Sequence, residues 1–404
     1  MAALPTTPAA NRVDRADRSD LVPDASPVTR WLDALRDWAD RRIASPVFRR
    51  WAARFPLTRP IARRRAAALF DLVAGFSYSQ VLLACVQLRL FDHLAQGAQS
   101  AEALAPTLHL PLEGCRRLLD AAVALRLLSR RQRHGHAAVY RLGPLGAPMV
   151  GNAAIAAMVE HHRLLYADLA DPLALLRAPP GQGALAGYWA YARNPQPHTL
   201  AREQVADYSA LMAASQPLVA DQILDAYPLA RHQCLMDVGG GEGVFAAAAA
   251  QRWPQLRLLV FDLPEVARRA QGRLAALGLA GRASAVGGDF TADALPTGAD
   301  VISLVRVVHD HDDARVMALL RAVRRALPPD GVLLLAEPMA GTRGAQAMGD
   351  AYFGLYLWAM GSGRPRTVAE LGRLLQDAGF LAPQRLHNAM PLQTQVLLVR
   401  PAPP

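Results

Sequence analysis

The sequence predicts an α/β protein: a seven-stranded, mostly parallel, doubly wound sheet preceded by an all-helical, winged-helix region. Three observations carry that prediction. From Cys234 onward, short apolar runs alternate with helical stretches, the pattern of a sheet covered on both faces. A glycine-rich turn follows the first of those runs, at Gly239, Gly240, Gly241 and Gly243. Upstream, the order helix, helix, helix, hairpin outlines a winged helix.

The 404 residues divide into five stretches. Residues 1–29 are polar and proline-dotted and read as a disordered leader. Residues 30–66 are helical in pattern, with breaks near Pro46, Pro56 and Pro60, and are rich in arginine. Residues 67–176 form the winged-helix region. It opens on a helix-like stretch from Ala67 to about Gly97, carrying Val81, Leu82, Cys85, Leu88 and Phe91 at helical spacing. Ser100 is placed to cap a short second helix, and a third starts at Pro111 with Leu118, Leu119, Ala122 and Leu125. Arg130 to Gly143 then reads as a hairpin around His134-Gly135. Residues 177–226 are a linker with connecting helix, and residues 227–404 hold the sheet. Its expected strands are Cys234–Val238, Leu256–Phe261, Ala283–Val286, Asp300–Val305, Val332–Ala336, Pro383–Leu386 and Thr394–Val399.

Composition narrows the chemistry. The chain has no lysine, so all 44 of its basic residues are arginine. That removes Schiff-base catalysis and a Walker-type phosphate loop, both of which need a lysine amine. Cys85, Cys115 and Cys234 are scattered without metal or disulfide spacing. No uninterrupted apolar run approaches the ~18 residues that span a bilayer. The first 24 residues lack the charged start and apolar core of a secretory signal, so the chain reads as cytoplasmic. Nine arginines and no acid lie between Arg41 and Arg65, so this stretch carries +9 of the net charge of +10. Interleaved with Val47, Phe48, Trp51, Phe55 and Ile61, they suit peripheral contact with an anionic membrane. A solvated basic face is the plainer alternative, and nucleic acid a third and weaker one.

The turn Asp237-Val-Gly-Gly-Gly-Glu-Gly243 lets backbone approach a ligand closely. A nicotinamide site wants Gly-x-Gly-x-x-Gly, and here the third glycine falls one residue early. An acid before the glycines fits S-adenosylmethionine better, while a tight turn without a ligand remains the plain reading. Asp262 follows the second strand, where a carboxylate accepts ribose hydroxyls. Asp289 follows the third, within reach of an adenine amine, with Phe290 to pack the ring. Each alone is compatible with a loop acid; three acids on one rim form a set.

After the fourth strand comes Arg306-Val-Val-His309-Asp-His311-Asp-Asp313, and after the fifth Glu337-Pro338. Both strand ends face one crevice, so His309 and Glu337 are expected to meet, His309 as general base and Glu337 holding its tautomer. His309 and His311 with the neighbouring aspartates also have a metal-binding reading, against which the acids fit a solvated helix start. His161, His162, His134 and His136 lack evident partners and read as surface or wing residues.

Asp237-Val-Gly-Gly-Gly-Glu-Gly, Gly288-Asp-Phe, Val307-Val-His-Asp and Leu335-Ala-Glu-Pro, in this order behind a winged helix, resemble the small-molecule O-methyltransferases related to plant phenolic and acetylserotonin enzymes. Within that family the chain is most similar to bacterial carotenoid hydroxyneurosporene or demethylspheroidene O-methyltransferases, through Phe48-Arg-Arg-Trp-Ala-Ala-Arg-Phe-Pro-Leu and Gly361-Ser-Gly-Arg-Pro-Arg-Thr367. The resemblance implies a Rossmann-like class I methyltransferase sheet and a homodimer formed through the winged-helix domain, with no DNA binding by the wing. It implies His309 and Glu337 as the catalytic pair, and Gly239, Asp262, Asp289, Phe290 and Arg306 around S-adenosyl-L-methionine. Tyr208 and Met212 match an aromatic-x-x-x-Met pattern approaching the site from the preceding helix. One departure matters: phenolic enzymes carry a second catalytic glutamate where this chain has Pro365, which leaves Glu337 as the sole expected support of His309. That favours a small apolar, non-phenolic acceptor such as a 1-hydroxycarotenoid over a soluble aromatic or polyketide hydroxyl. From another class, a winged-helix sensor using adenosylmethionine as a ligand on DNA is disfavoured, because the helix after Pro111 offers only Arg116, Arg117 and Arg126.

Overall fold

The structure is a computed structural model that describes residues 27–132, 137–188 and 211–403. Residues 1–26 of the expected leader, the hairpin tip with His134 and His136, and Tyr208 lie outside the described residues, whereas Pro27, Val28 and Thr29 already belong to the first helix. The chain separates into two compact units, Met1–Ser79 and Gln80–Pro404.

In the first unit, helices α1 (Pro27–Ala44) and α2 (Pro46–Arg54) are followed by the start of α3 (Arg59–Gln87). Ser45 caps α2 by accepting from Phe48 N, and Pro46 takes the first helical position, where its missing N–H costs nothing. Pro60 likewise sits in the first turn of α3 and starts that helix instead of breaking it. One expectation needs correction here. By length and composition α3 is apolar enough to cross a membrane, although no uninterrupted run shows it. Single polar residues such as Asp71 and Ser77 punctuate an otherwise apolar stretch, so counting unbroken runs misses it.

The second unit begins with the end of α3. That helix stops at Gln87, and Arg89 adopts φ 50° before α4 (Leu90–Ala95), so the expected single stretch to Gly97 is two helices. Ser100 caps α5 (Ala101–Thr107), accepting from Ala103 N, and Pro111 precedes α6 (Leu112–Ala124). Strands β1 (Gln99–Ser100), β2 (Leu128–Arg131) and β3 (Val139–Leu142) form a small antiparallel sheet in the order β1-β3-β2. Cys85, Leu90, Leu104, Cys115 and Leu119 are completely buried in the core beneath it. On α6, Arg116 is paired with Glu102 at 2.6 Å and Arg117 with Glu113 at 2.9 Å, so neither guanidinium is presented alone. Helices α7 (Ala153–Asp168), α8 (Pro172–Arg177) and α9 (Ala184–Tyr188) follow.

The large sheet contains seven strands in the order β6-β5-β4-β7-β8-β10-β9. They are β4 (Cys234–Val238), β5 (Arg257–Asp262), β6 (Ala283–Gly287), β7 (Val301–Val305), β8 (Val332–Glu337), β9 (Gln384–Leu386) and β10 (Gln395–Val399). The first five pair in parallel, and β10 runs antiparallel to both β8 and β9. All seven expected strands are present within a residue or two of their anticipated bounds. Every residue of β4, β7, β8 and β10 is buried, which is why these strands read as continuous apolar runs. Alternate residues feed opposite cores: Met236 and Val238 pack towards helices Asp313–Ala326 and Val368–Asp377, Leu235 towards Pro217–Ala226 and Val244–Arg252. The chain leaves β4 for β5 on one side and later returns to β7 on the other. That reversal opens a crevice at the carboxyl ends of β4 and β7, the place where open α/β sheets bind ligands.

Candidate active site

The crevice is a cleft of about 980 Å³, part of it open to solvent. Gly239, Asp262, Asp289, Phe290 and Arg306 all line it, five residues spread over 68 positions of sequence and gathered by the ends of four strands. Gly239, Gly241 and Gly243 adopt φ of 68°, 58° and 74°, a region a side chain rarely tolerates. At Gly239 a Cβ would stand 2.7 Å from Val307 Cγ2, so the glycine turn and the turn after β7 touch only because no side chain intervenes.

The acids divide by role. Asp237 lies behind the turn, 1% exposed, with Oδ1 accepting from Ser303 Oγ at 2.6 Å. Its Oδ2 is buried without a hydrogen-bond partner among the described residues, and burial pushes its carboxyl up to about 7. Such an orphaned oxygen is costly unless a ligand supplies a donor or a positive charge. Asp262 closes β5, with Oδ2 accepting from Gly241 N at 2.8 Å and Oδ1 from Leu263 N at 2.7 Å. Burial raises it to about 6, against the pull of those two N–H groups. Asp289 turns the chain as well as facing the cleft: its Oδ1 accepts from both the amide and the hydroxyl of Thr291. Phe290 packs edge-on to His311, ring centres 5.2 Å apart.

His309 sits in a single helical turn, Val308–Asp310, directly after β7. Glu337, at the end of β8, organises that turn: Oε1 accepts from Val307 N (3.0 Å) and Val308 N (2.7 Å), and Oε2 takes the hydrogen bond from His309 Nδ1. In the neutral ring this places the proton on Nδ1. Glu337 is not the only carboxylate on the ring. Asp310 Oδ1 stands 3.0 Å from Nε2 and has no other partner among the described residues. The expectation of support from Glu337 alone, and of Asp310 in a solvated helix start, therefore fails: Asp310 is 4% exposed, and burial raises it to about 6. Asp312 is the residue that caps the following helix, accepting from Arg315 N. For His309, burial alone would lower the imidazole's pKa, but Asp310 and Glu337 outweigh it and hold it above the ordinary value. His311 is driven down to about 3 by burial and packs on Phe290. Among the described residues no group of three or more His, Cys, Asp or Glu could hold a metal ion.

The segment with Pro365 has a positive role that sequence reasoning missed. Gly363 adopts φ 79°, where a Cβ would meet His309 O at 2.0 Å, and Arg364 N donates to that same carbonyl. Arg366, 2% exposed, donates to Val308 O, His311 O and Asp313 Oδ1. One guanidinium thus ties down the turn on both sides of His309. Opposite the cleft wall, Arg306 adopts φ 60° and donates to Ser215 Oγ and to the sulfur of Met212.

His161 and His162 are also corrected. They belong to an aromatic wall, not the surface. His162 Nε2 accepts from Tyr352 Oη at 2.7 Å because Nδ1 donates to Met158 O, and His161 Nε2 pairs with Tyr356 Oη at 2.6 Å. Phe353 links this wall to His309, ring centres 5.7 Å apart. Their partners lie about 190 residues away, and no spacing rule could have revealed them.

Comparison with known proteins decides the family. The model of the O-methyltransferase domain matches residues 190–381, and that of the O-methyltransferase dimerisation domain matches residues 70–151. Demethylspheroidene O-methyltransferase of Cereibacter sphaeroides is 44% identical over 340 residues, covering 84% of this chain and 88% of that protein. The chain belongs to the O-methyltransferase family. Mouse acetylserotonin O-methyltransferase is 35% identical, with 78% of this chain and 83% of that protein aligned. Human N-acetylserotonin methyltransferase, crystallised with S-adenosylmethionine, superposes with a TM-score of 0.69 at 25% identity, over 84% of this chain and 98% of the other. The chain is therefore an adenosylmethionine-dependent O-methyltransferase carrying the family's dimerisation domain, which supports a homodimer. The glycine cradle, which a Cβ at Gly239 or Gly240 would crowd, and the carboxylates Asp262 and Asp289 on the same cleft fit a nucleoside cofactor.

Proposed function

We propose that this enzyme methylates the hydroxyl of an apolar 1-hydroxycarotenoid, of the demethylspheroidene or hydroxyneurosporene type, with His309 as general base and without a metal. The observation that supports the mechanism is the imidazole held in the turn after β7, whose Val307 meets Gly239, with Glu337 on Nδ1 and Asp310 beside Nε2. The substrate class rests on relatives: demethylspheroidene O-methyltransferases of Cereibacter sphaeroides and Rhodobacter capsulatus are 44% and 40% identical.

Adenosylmethionine supplies a methyl group already activated as a sulfonium, so the protein has to provide alignment and proton removal. As the acceptor oxygen takes that methyl group and S-adenosylhomocysteine leaves, the hydroxyl proton would pass to His309 Nε2, which has Asp310 beside it. Alignment contributes roughly 7–11 kcal/mol and a positioned base roughly 10²–10⁴-fold. Gly239 and its neighbours would admit the cofactor, Asp262 would accept from the ribose hydroxyls, and Asp289 with Phe290 would hold the adenine. Arg306 would fix the wall between cofactor and acceptor. The greasy acceptor and the basic segment Arg41–Arg65 together favour a peripheral position on the cytoplasmic face of an anionic membrane.

Incubation with methyl-labelled adenosylmethionine and a panel of 1-hydroxycarotenoids and phenols tests the reading. Label in carotenoid methyl ethers is expected. Label confined to phenol ethers overturns the acceptor and leaves the reaction class intact.

A further inference from the structure

We infer that helices α1 and α2 form an interfacial docking arm that lies flat on an anionic bilayer, seating three tryptophans at headgroup depth beneath a canopy of arginine. The inference deepens the membrane position proposed above and names the element responsible.

Three observations converge on α1, α2 and the start of α3. First, large apolar side chains that a water-facing helix would avoid are exposed along one stripe of each helix. On α1 they are Val28, Trp31, Leu32, Leu35 and Trp38; on α2 and its cap they are Val47, Trp51 and Phe55. Trp31 is 62% exposed, Trp38 56% and Trp51 49%. Spacings of three and four residues put each set on a single helical face.

Second, these rings are already ordered. Phe48, Trp51 and Phe55 form a ladder with centres 5.5 and 5.0 Å apart, and Arg42 lies over the Trp38 ring at 5.3 Å. Arg50 and Arg54 flank Val47, Trp51 and Phe55 around one shallow groove. Tryptophan beside arginine suits the boundary between acyl chains and headgroups: the ring enters, and the guanidinium stays with phosphate.

Third, the charge is one-sided. The nine arginines from Arg41 to Arg65 have no acid among them. The acids of this unit either precede that run, as Asp33, Asp37 and Asp40, or follow it, as Asp71. Charge complementarity therefore selects an anionic partner, and the exposed stripes select one with an apolar interior. A lipid surface offers both; nucleic acid offers only the first.

Both family models begin beyond this arm, at residues 70 and 190. The dimerisation domain starts inside α3, so the stripes of α1 and α2 lie outside the segment that matches it. A spanning role for α3 conflicts with its last turns, where Leu83, Cys85 and Val86 are buried in protein core.

The full chain is mixed with phosphatidylglycerol and phosphatidylcholine vesicles and sedimented. Binding to the former alone, weakening with salt and accompanied by a blue-shifted tryptophan emission, is expected. Replacing Arg49, Arg50 and Arg54 of α2 by glutamine should weaken partition roughly hundredfold, at about fivefold per charge. Trp51→Ala should reduce it several-fold while the salt dependence persists. Detergent-dispersed acceptor should be methylated equally by all variants, which separates failure of docking from failure of the methyltransferase reading. Absence of binding to phosphatidylglycerol, equal binding to phosphatidylcholine, or preferential binding of DNA each overturns the inference.

Discussion

Two adjacent turns on the rim of one sheet are built in opposite ways. The glycine turn after β4 is a local object: Asp237 to Gly243 sets its shape through backbone conformation, and Asp262 reaches back to one of its N–H groups. The histidine turn after β7 is a long-range object. Its two backbone N–H groups go to Glu337, its carbonyl to Arg364 N, and its flanks to Arg366. The difference has a chemical reason. Admitting a nucleoside needs room and donors that backbone can supply, whereas holding a base in one tautomer needs charged partners from elsewhere in the chain.

Breaking each turn should therefore have a distinct signature. Among the residues that support the two turns, the largest effect is expected from Glu337→Gln, which removes one of the carboxylates that raise the imidazole's pKa. Turnover should fall roughly 10²-fold. A histidine acting as base, as proposed, works only when neutral, so activity is expected to fall as pH drops through the His309 pKa, which is held above the ordinary histidine value of 6.5. Without Glu337 that pKa drops and the acid limb of the pH–rate profile moves to lower pH; a limb that stays in place would assign it to another group. Next, Asp262→Ala should raise the dissociation constant for adenosylmethionine roughly 10–100-fold while turnover at saturating cofactor is largely kept. Unchanged binding, measured by calorimetry, would place the ribose elsewhere. The smallest effect is expected from Arg366→Lys. A lysine cannot reproduce the forked contacts to Val308, His311 and Asp313, so turnover should fall several-fold with cofactor affinity intact. An equal loss in both would mean that Arg366 supports the sheet as a whole.

The same contrast explains what could be read from sequence. The seven strands were legible because buried parallel strands are continuous apolar runs, and Gly239, Asp262 and Asp289 because each follows directly from a strand end. His309 and Glu337 were legible only in pairs, since both had to lie at the carboxyl ends of neighbouring strands. Asp310 was misjudged because three aspartates in four positions look like a helix start, and only burial separates the first from the other two. Arg366 and the pairs His161–Tyr356 and His162–Tyr352 were invisible, since their contacts span about 55 and 190 residues and carry no period. The apolar length of α3 escaped because polar residues interrupt it singly.

Replacing His309 with alanine and measuring methyl transfer and cofactor affinity on the same preparation tests the central claim most directly. The account predicts turnover reduced by roughly 10²–10⁴-fold with adenosylmethionine bound nearly as tightly as before. Turnover that survives the change, or cofactor binding that disappears with it, would contradict the assignment of this imidazole as the base.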